Sequence, residues 1–230
     1  RSTLFPYTTL FRSRDRSAFI SWGYLVRKAI ASYLDIDSSE LSVGYYITPG
    51  TKKAEVFFVE KLENGAGYCN FLSGRRYPDV PQKAIIEPLL PGGNIYEHLV
   101  SDEHASECST SCYDCIRDYS NQSVHGLLDW RLGLDIARLA NDASAKVDFT
   151  VSYWKEHIHT TIASLLKSRG YSVEEKENTL LAVDVDGHSI LVIHPFWSTS
   201  YIDELKTKVG GNPTPVPVNT LVSTISEERG

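Results

Sequence analysis

Three cysteines fall within eight residues, Cys108, Cys112 and Cys115, and the chain holds one more, Cys69. A Cys-x2-Cys knuckle places two sulfurs on one side of a tetrahedral zinc site, and a third cysteine four residues upstream can wrap back to the same ion. Other uses for such residues are a disulfide or plain buried thiols. A disulfide needs an oxidising compartment, of which the sequence gives no sign. The fourth ligand has two candidates. Cys69 is favoured, because thiolate sites in a reducing cell usually draw on all the cysteines and Cys69 has no other evident role. His104 is the alternative: it lies four residues before Cys108, and imidazole is a common zinc ligand. A site using Cys69 would tie its Gly-rich turn to the 108–115 loop across a Pro-rich stretch, a structural task.

Two further sets of residues could do chemistry. Asp184 and Asp186 follow an apolar run, as in the magnesium-dependent nuclease core of the PD-(D/E)xK kind. The next strand, His188-Ser-Ile-Leu-Val-Ile-His-Pro, offers no Glu-x-Lys, and Asp186 reads better as a hairpin residue. His194-Pro-Phe-Trp reads as a packing corner. After the cysteine block come Arg117, Tyr119, Asn121, His125, Trp130 and Arg131. Aromatic and Arg side chains on a metal-fixed surface can stack bases and pair with phosphates. The plainer reading makes Tyr119 and Trp130 core residues and pairs Arg117 and Arg131 with Asp118, Asp129 or Asp135. It is the preferred one here, because the balance of charge is acidic.

That balance is a net charge of −6 over 230 residues, which argues against coating nucleic acid by bulk charge. Residues 14–146 carry 14 basic and 18 acidic side chains, and residues 147–230 carry 7 and 11, so neither half is a basic one. The composition, 42% hydrophobic and 23% charged, is that of a globular chain with a real core. No apolar run approaches the ~20 residues that span a bilayer. Met is absent, even at position 1, which suggests a fragment of a longer protein. Residues 3–13, Thr-Leu-Phe-Pro-Tyr-Thr-Thr-Leu-Phe-Arg-Ser, coincide with the translation of a common sequencing-adapter oligonucleotide. Residues 1–13 are therefore set aside from fold reasoning.

The elements that must position these residues follow from periodicity. Ser17–Leu34 has helical spacing and an almost all-round apolar face near its start. Leu41–Thr48 and Ala54–Glu60 are β-rich runs joined by Pro49-Gly-Thr-Lys-Lys. Short helices are expected at Gln82–Glu87 and Asn94–Ser101, then a cysteine-rich loop over 104–120, then a helix at Leu127–Leu139. Tyr153–Arg169 reads as a helix stopped by Gly170, and three strands follow at Tyr171–Glu175, Thr179–Val185 and Ser189–Pro195. Beyond Ile202 the Gly/Pro-rich sequence predicts a poorly packed tail. The expected fold is α+β: a zinc-stapled helix/strand domain over 14–146, a small α/β unit of one helix and a three-stranded sheet over 147–202, and a flexible tail over 203–230.

Leu62-Glu-Asn-Gly-Ala-Gly-Tyr-Cys, Cys108-Ser-Thr-Ser-Cys-Tyr-Asp-Cys-Ile-Arg-Asp-Tyr-Ser-Asn and His125-Gly-Leu-Leu-Asp-Trp-Arg-Leu-Gly-Leu-Asp together resemble one family. It is the zinc-binding domain named after the mitomycin-repair helicase MrfA, found in bacterial DEAD/DEAH-box helicases and in a component of the DISARM anti-phage systems. The resemblance covers roughly Ala18–Ala140. It implies a cytoplasmic, non-catalytic accessory domain that packs against helicase motor domains, in the same chain or on a partner, and reaches DNA through them. It supports Cys108, Cys112 and Cys115 as zinc ligands, with Cys69 as the fourth. No Gly-x4-Gly-Lys-[Ser/Thr] phosphate loop occurs, so no ATP hydrolysis is expected of this stretch itself. Asp102-Glu-His-Ala differs in order from a helicase box and does not end an apolar strand. The alternatives are a magnesium-dependent nuclease in the C-terminal α/β unit and a purely structural interaction domain.

Overall fold

The computed structural model describes residues 16–47, 54–62 and 65–227. The adapter-like residues 1–13 and the Pro49-Gly-Thr-Lys-Lys turn lie outside them. The chain separates into two compact units, Arg1–Ala145 and Lys146–Gly230.

The first unit opens with α1 (Arg16–Leu34), followed by the antiparallel strands β1 (Leu41–Ile47) and β2 (Ala54–Glu60). The short helix α2 (Tyr68–Leu72) comes next, then a π-helical turn at Gln82–Ile86 and a 3-10 turn at Glu87–Leu89, where a single short helix was expected. Then come α3 (Asn94–Val100), α4 (Asp102–Glu107), 3-10 turns over Tyr119–Leu127 and α5 (Trp130–Asn141). Helix α1 is the centre. Ala18, Ile20, Leu25, Ala29 and Ile30 have no exposed surface, and Phe19, Trp22 and Tyr24 on its other sides are buried too. A helix apolar on nearly every side must be surrounded. Here α1 is packed by α5, the hairpin and the turns at 82–89. Gly133 sets the spacing between α1 and α5: a Cβ there would lie 2.4 Å from Leu25 Cδ1. Asp129 caps α5, accepting from the Arg131 N–H at 3.0 Å, and its own N–H donates to Ser21 Oγ of α1 at 2.8 Å.

The second unit begins with α6 (Ser152–His157), continues through a π-helical turn (Ile158–Ile162) into α7 (Ala163–Ser168), and stops at Gly170, whose φ is 86°. Strands β3 (Ser172–Lys176), β4 (Thr179–Val183) and β5 (Ser189–Ile193) form an antiparallel run. Helix α8 (Thr199–Val209), β6 (Thr214–Pro217) and α9 (Val218–Glu227) follow. The sheet among the described residues therefore has four strands in the order β3-β4-β5-β6, not three, with β6 parallel to β5. The expected tail over 203–230 is corrected for its described part, which holds α8, β6 and α9. Ile202 and Leu205 of α8, and Val218 and Leu221 of α9, are buried, so this segment has apolar anchors. Proline is compatible with β6 because an edge strand need not donate outward. His194 is fully buried between Phe149, at 5.7 Å between ring centroids, and Trp154, at 5.4 Å. That is the packing corner read from His194-Pro-Phe-Trp. Among the described residues no helix is long and apolar enough to cross a membrane.

Candidate metal centre

Ser101 starts the site. Its Oγ accepts from the His104 N–H at 3.3 Å and caps α4 (Asp102–Glu107), so the first residues of the expected 104–120 loop are helical. The Cys108 N–H donates to the His104 carbonyl at 2.9 Å, the i,i+4 relation of a helix, so the two side chains share a face. The chain then turns through the knuckle. The Cys115 and Arg117 N–H groups donate to the Cys112 carbonyl at 3.2 and 2.9 Å, and the Cys112 N–H donates to Cys115 Sγ at 3.0 Å.

Four ligand atoms converge as a result. Cys108 Sγ and Cys115 Sγ are 3.8 Å apart, Cys112 Sγ and Cys115 Sγ 3.6 Å, and Cys112 Sγ and His104 Nε2 3.5 Å. All four lie within 4.8 Å of one another. Zn–S bonds of about 2.3 Å in a tetrahedron imply ligand separations of about 3.8 Å. Three sulfurs and one imidazole nitrogen at this spacing fit a zinc ion. His104 Nδ1 lies 2.9 Å from the Leu99 carbonyl, so the proton belongs on Nδ1 and the Nε2 lone pair faces the sulfurs.

The electrostatics point the same way. Cys115 is pulled down to about 4 by hydrogen bonding from the Cys108 thiol, helped by His104 and the Cys112 N–H, and opposed by burial. Cys108 is pushed up, first by its hydrogen bond to Cys115 and then by burial. Burial also raises Cys112. Buried thiols this close resist ionising together. A divalent cation is what lets all three sulfurs ionise together.

The loop is held from several sides. The Trp130 N–H donates to the Thr110 carbonyl at 3.0 Å and Arg131 Nη1 to the Ser109 carbonyl at 2.7 Å, fastening the N-terminus of α5 to the segment between Cys108 and Cys112. The Trp130 ring stands edge-on to His104, with centroids 5.7 Å apart. His98 Nε2 is 2.8 Å from Asp114 Oδ2, which joins α3 to the knuckle. Arg27 pairs with Asp118, and Lys28 donates to the Asp114 carbonyl, tying the loop to α1.

Cys69 is not brought into this group; its Sγ is 3.6 Å from the Phe58 carbonyl and its N–H donates to Glu60 Oε1 at 2.8 Å. It opens α2 behind Gly67, whose φ is 85°. Glu60 gathers the N–H groups of Ala66 and Gly67 as well, so its carboxylate organises that turn. Here His104 takes the place expected of Cys69. The signal was present in the sequence as His-x3-Cys behind a capping Ser101.

The expected nucleic-acid residues divide. Asn121 is 1% exposed, with its amide donating to the Ile116 carbonyl and its oxygen accepting from the Asp118 N–H, so it builds the loop. Arg131 is 3% exposed and lies 4.2 Å over the Trp130 ring, again as a structural part. Arg117 is half-buried, with Nε donating to Ser111 Oγ at 2.8 Å. Tyr119 is 83% exposed, against the reading that made it core. His125 is half-buried and lies 2.7 Å from Asn121 Oδ1; burial, then the nearby Arg117 charge, lowers its pKa. In the second unit Asp184, Asp186 and His188 share one turn. Asp184 Oδ1 accepts from the N–H groups of Asp186 and His188 at 2.9 and 2.8 Å, the work of a hairpin residue.

Comparison with known proteins finds two likenesses, both touching the first unit. Residues 22–116 match the MrfA Zn-binding domain. His104 and the three clustered cysteines all lie inside the matched stretch. The chain is also similar to Druantia protein DruE of Escherichia coli (strain UMEA 4076-1), with 30% identity over 111 residues. That alignment covers 46% of this chain and 5% of DruE. No solved structure matches the chain. Residues 22–116 thus resemble a domain family named for binding zinc.

Proposed function

We propose that the first unit is a non-catalytic, zinc-stapled accessory domain of a DNA-acting protein, either a DEAD/DEAH-box helicase or a partner of one in phage defence. Motor domains elsewhere in the same protein, or on a partner, would translocate DNA in the cytoplasm. The zinc domain would hold a rigid surface against them. His104, Cys108, Cys112 and Cys115 would hold the ion. The observation that carries this reading is the convergence of those four side chains, with ligand atoms within 4.8 Å of one another, inside the matched residues 22–116. Support for the defence context is the similarity to a Druantia protein. The competing nuclease reading is disfavoured because Asp184 is engaged by its own turn.

The test is metal analysis of the purified chain together with a cleavage assay. One zinc per chain, lost on replacing Cys112 with Ser, and no magnesium-dependent DNA cleavage are expected. A chain without zinc, or magnesium-dependent cleavage abolished by Asp184→Asn, would overturn the reading.

A further inference from the structure

Two large aromatic rings stand in solvent on the outer surface of the metal loop. Tyr113, inside the knuckle, is 58% exposed and Tyr119 is 83% exposed. Their centroids are 5.9 Å apart and the rings are tilted by 45°. His125 meets Tyr113 edge-on at 5.7 Å, which supports that ring from one side. Both backbones are anchored. Tyr113 sits between two of the four clustered residues, and Tyr119 begins turns capped by Asp118, whose Oδ1 accepts from the Ser120 N–H at 2.7 Å. Exposed aromatics on a fixed backbone have little ordering entropy left to lose on binding.

The carboxylates next to the pair in the chain each have a partner. Asp114 is engaged by His98, and Asp118 by Arg27. Arg117 spends its Nε on Ser111 and has its remaining guanidinium nitrogens for another acceptor; Lys28 spends one donor on the Asp114 carbonyl. Arg117 stands two residues before Tyr119 in the chain, and a cationic donor close to an exposed ring suits a base with its phosphate attached. A duplex keeps its base faces stacked, so the rings can meet a base only in an unpaired strand.

We propose that Tyr113 and Tyr119 form a stacking platform for an unpaired base of single-stranded nucleic acid, with Arg117 at the adjoining phosphate. This rests on the accessory-domain reading above and adds to it a contact made by this chain itself. The acidic net charge predicts that the contact is local and modest in affinity.

The experiment uses the zinc-loaded 230-residue chain and a fluorescent oligothymidylate of about 15 nucleotides, read by anisotropy at one fixed salt concentration. An abasic oligomer and a duplex of equal length are the controls. Tyr119→Ala should weaken binding at least about fivefold, and Tyr119→Phe should restore most of it, since stacking needs the ring and not the hydroxyl. Arg117→Ala should weaken binding and lower the salt slope by about 1. The abasic oligomer and the duplex should bind more weakly than the oligothymidylate. Zinc content is measured for every variant. If Tyr113→Ala loses zinc, Tyr119, exposed and outside the knuckle, decides the matter. Equal binding by fully zinc-loaded Tyr119→Ala, equal binding of the abasic strand, or no binding by the zinc-loaded wild-type chain would each overturn the platform. None of these results would touch the zinc reading, which fails only if the metal is missing.

Discussion

The two candidate fourth ligands give opposite expectations for a pair of single substitutions. Structural zinc in small peptides binds with about 10–16 kcal/mol for a four-ligand set, so one ligand is worth about 2.5–4 kcal/mol on average. His104→Ala should therefore lower zinc affinity by roughly two to three orders of magnitude. The change also leaves a void beside Trp130, whose ring is 5.7 Å away, so His104→Asn is a useful second variant that fills part of the space. Cys69→Ser should leave affinity within a few-fold, because its sulfur faces the Phe58 carbonyl, which a hydroxyl can satisfy. Competition against a chromophoric chelator at fixed pH measures both. A large loss in Cys69→Ser with near-normal zinc binding in His104→Ala would refute the assignment and with it the helical placement of His104 by Ser101.

Chelation should expose new protease sites between Asn94 and Gly126, a stretch with few large aliphatic side chains, while the second unit, built on Trp154, Ile158, Ile162 and Leu166, stays resistant; limited proteolysis with mass mapping reads this. Gly133→Ala should destabilise the first unit by about 1–3 kcal/mol, because the new Cβ would press on Leu25, seen as a lower midpoint in urea. Burial raises Asp129 to about 7, opposed chiefly by Arg131. A carboxyl raised on folding favours the folded state below its ordinary value near 4, and that contribution is lost as pH rises through about 7. Asp129→Asn keeps a capping oxygen, so its unfolding free energy should fall less between those two pH values than that of the parent chain, as denaturant titrations across the range would report.

Much of the frame was legible because local rules and tertiary packing agree. The apolar spacing of α1, the paired β1 and β2 runs, the Asp186-Gly187 hairpin and the helix from Tyr153 all appear where periodicity put them. Three members of the candidate site were legible as cysteines, but the fourth was chosen by counting sulfurs. That choice ignored what Ser101 does locally: by capping a six-residue helix it turns His-x3-Cys into two side chains on one face. Cys69 was then claimed by Glu60, an interaction between two elements that no spacing along the chain reveals. Strand β6 was missed because a Thr-Pro-Val-Pro run reads as a linker, and only the neighbouring β5 makes it a strand. Tyr113 escaped notice because it lay inside the motif, hidden by the cysteines on either side.

Strand β6 also has a consequence for solubility. It lies at the end of the β3-β4-β5-β6 order, where an unprotected edge would invite strands from other molecules. Two of its four residues, Pro215 and Pro217, have no amide hydrogen. A strand arriving at that edge would find an interrupted row of donors and could not zip along it. The same prolines that disguised the segment as a linker thus serve as a stop signal for sheet growth, and replacing them with Val or Thr should raise the tendency of the protein to self-associate through β-structure.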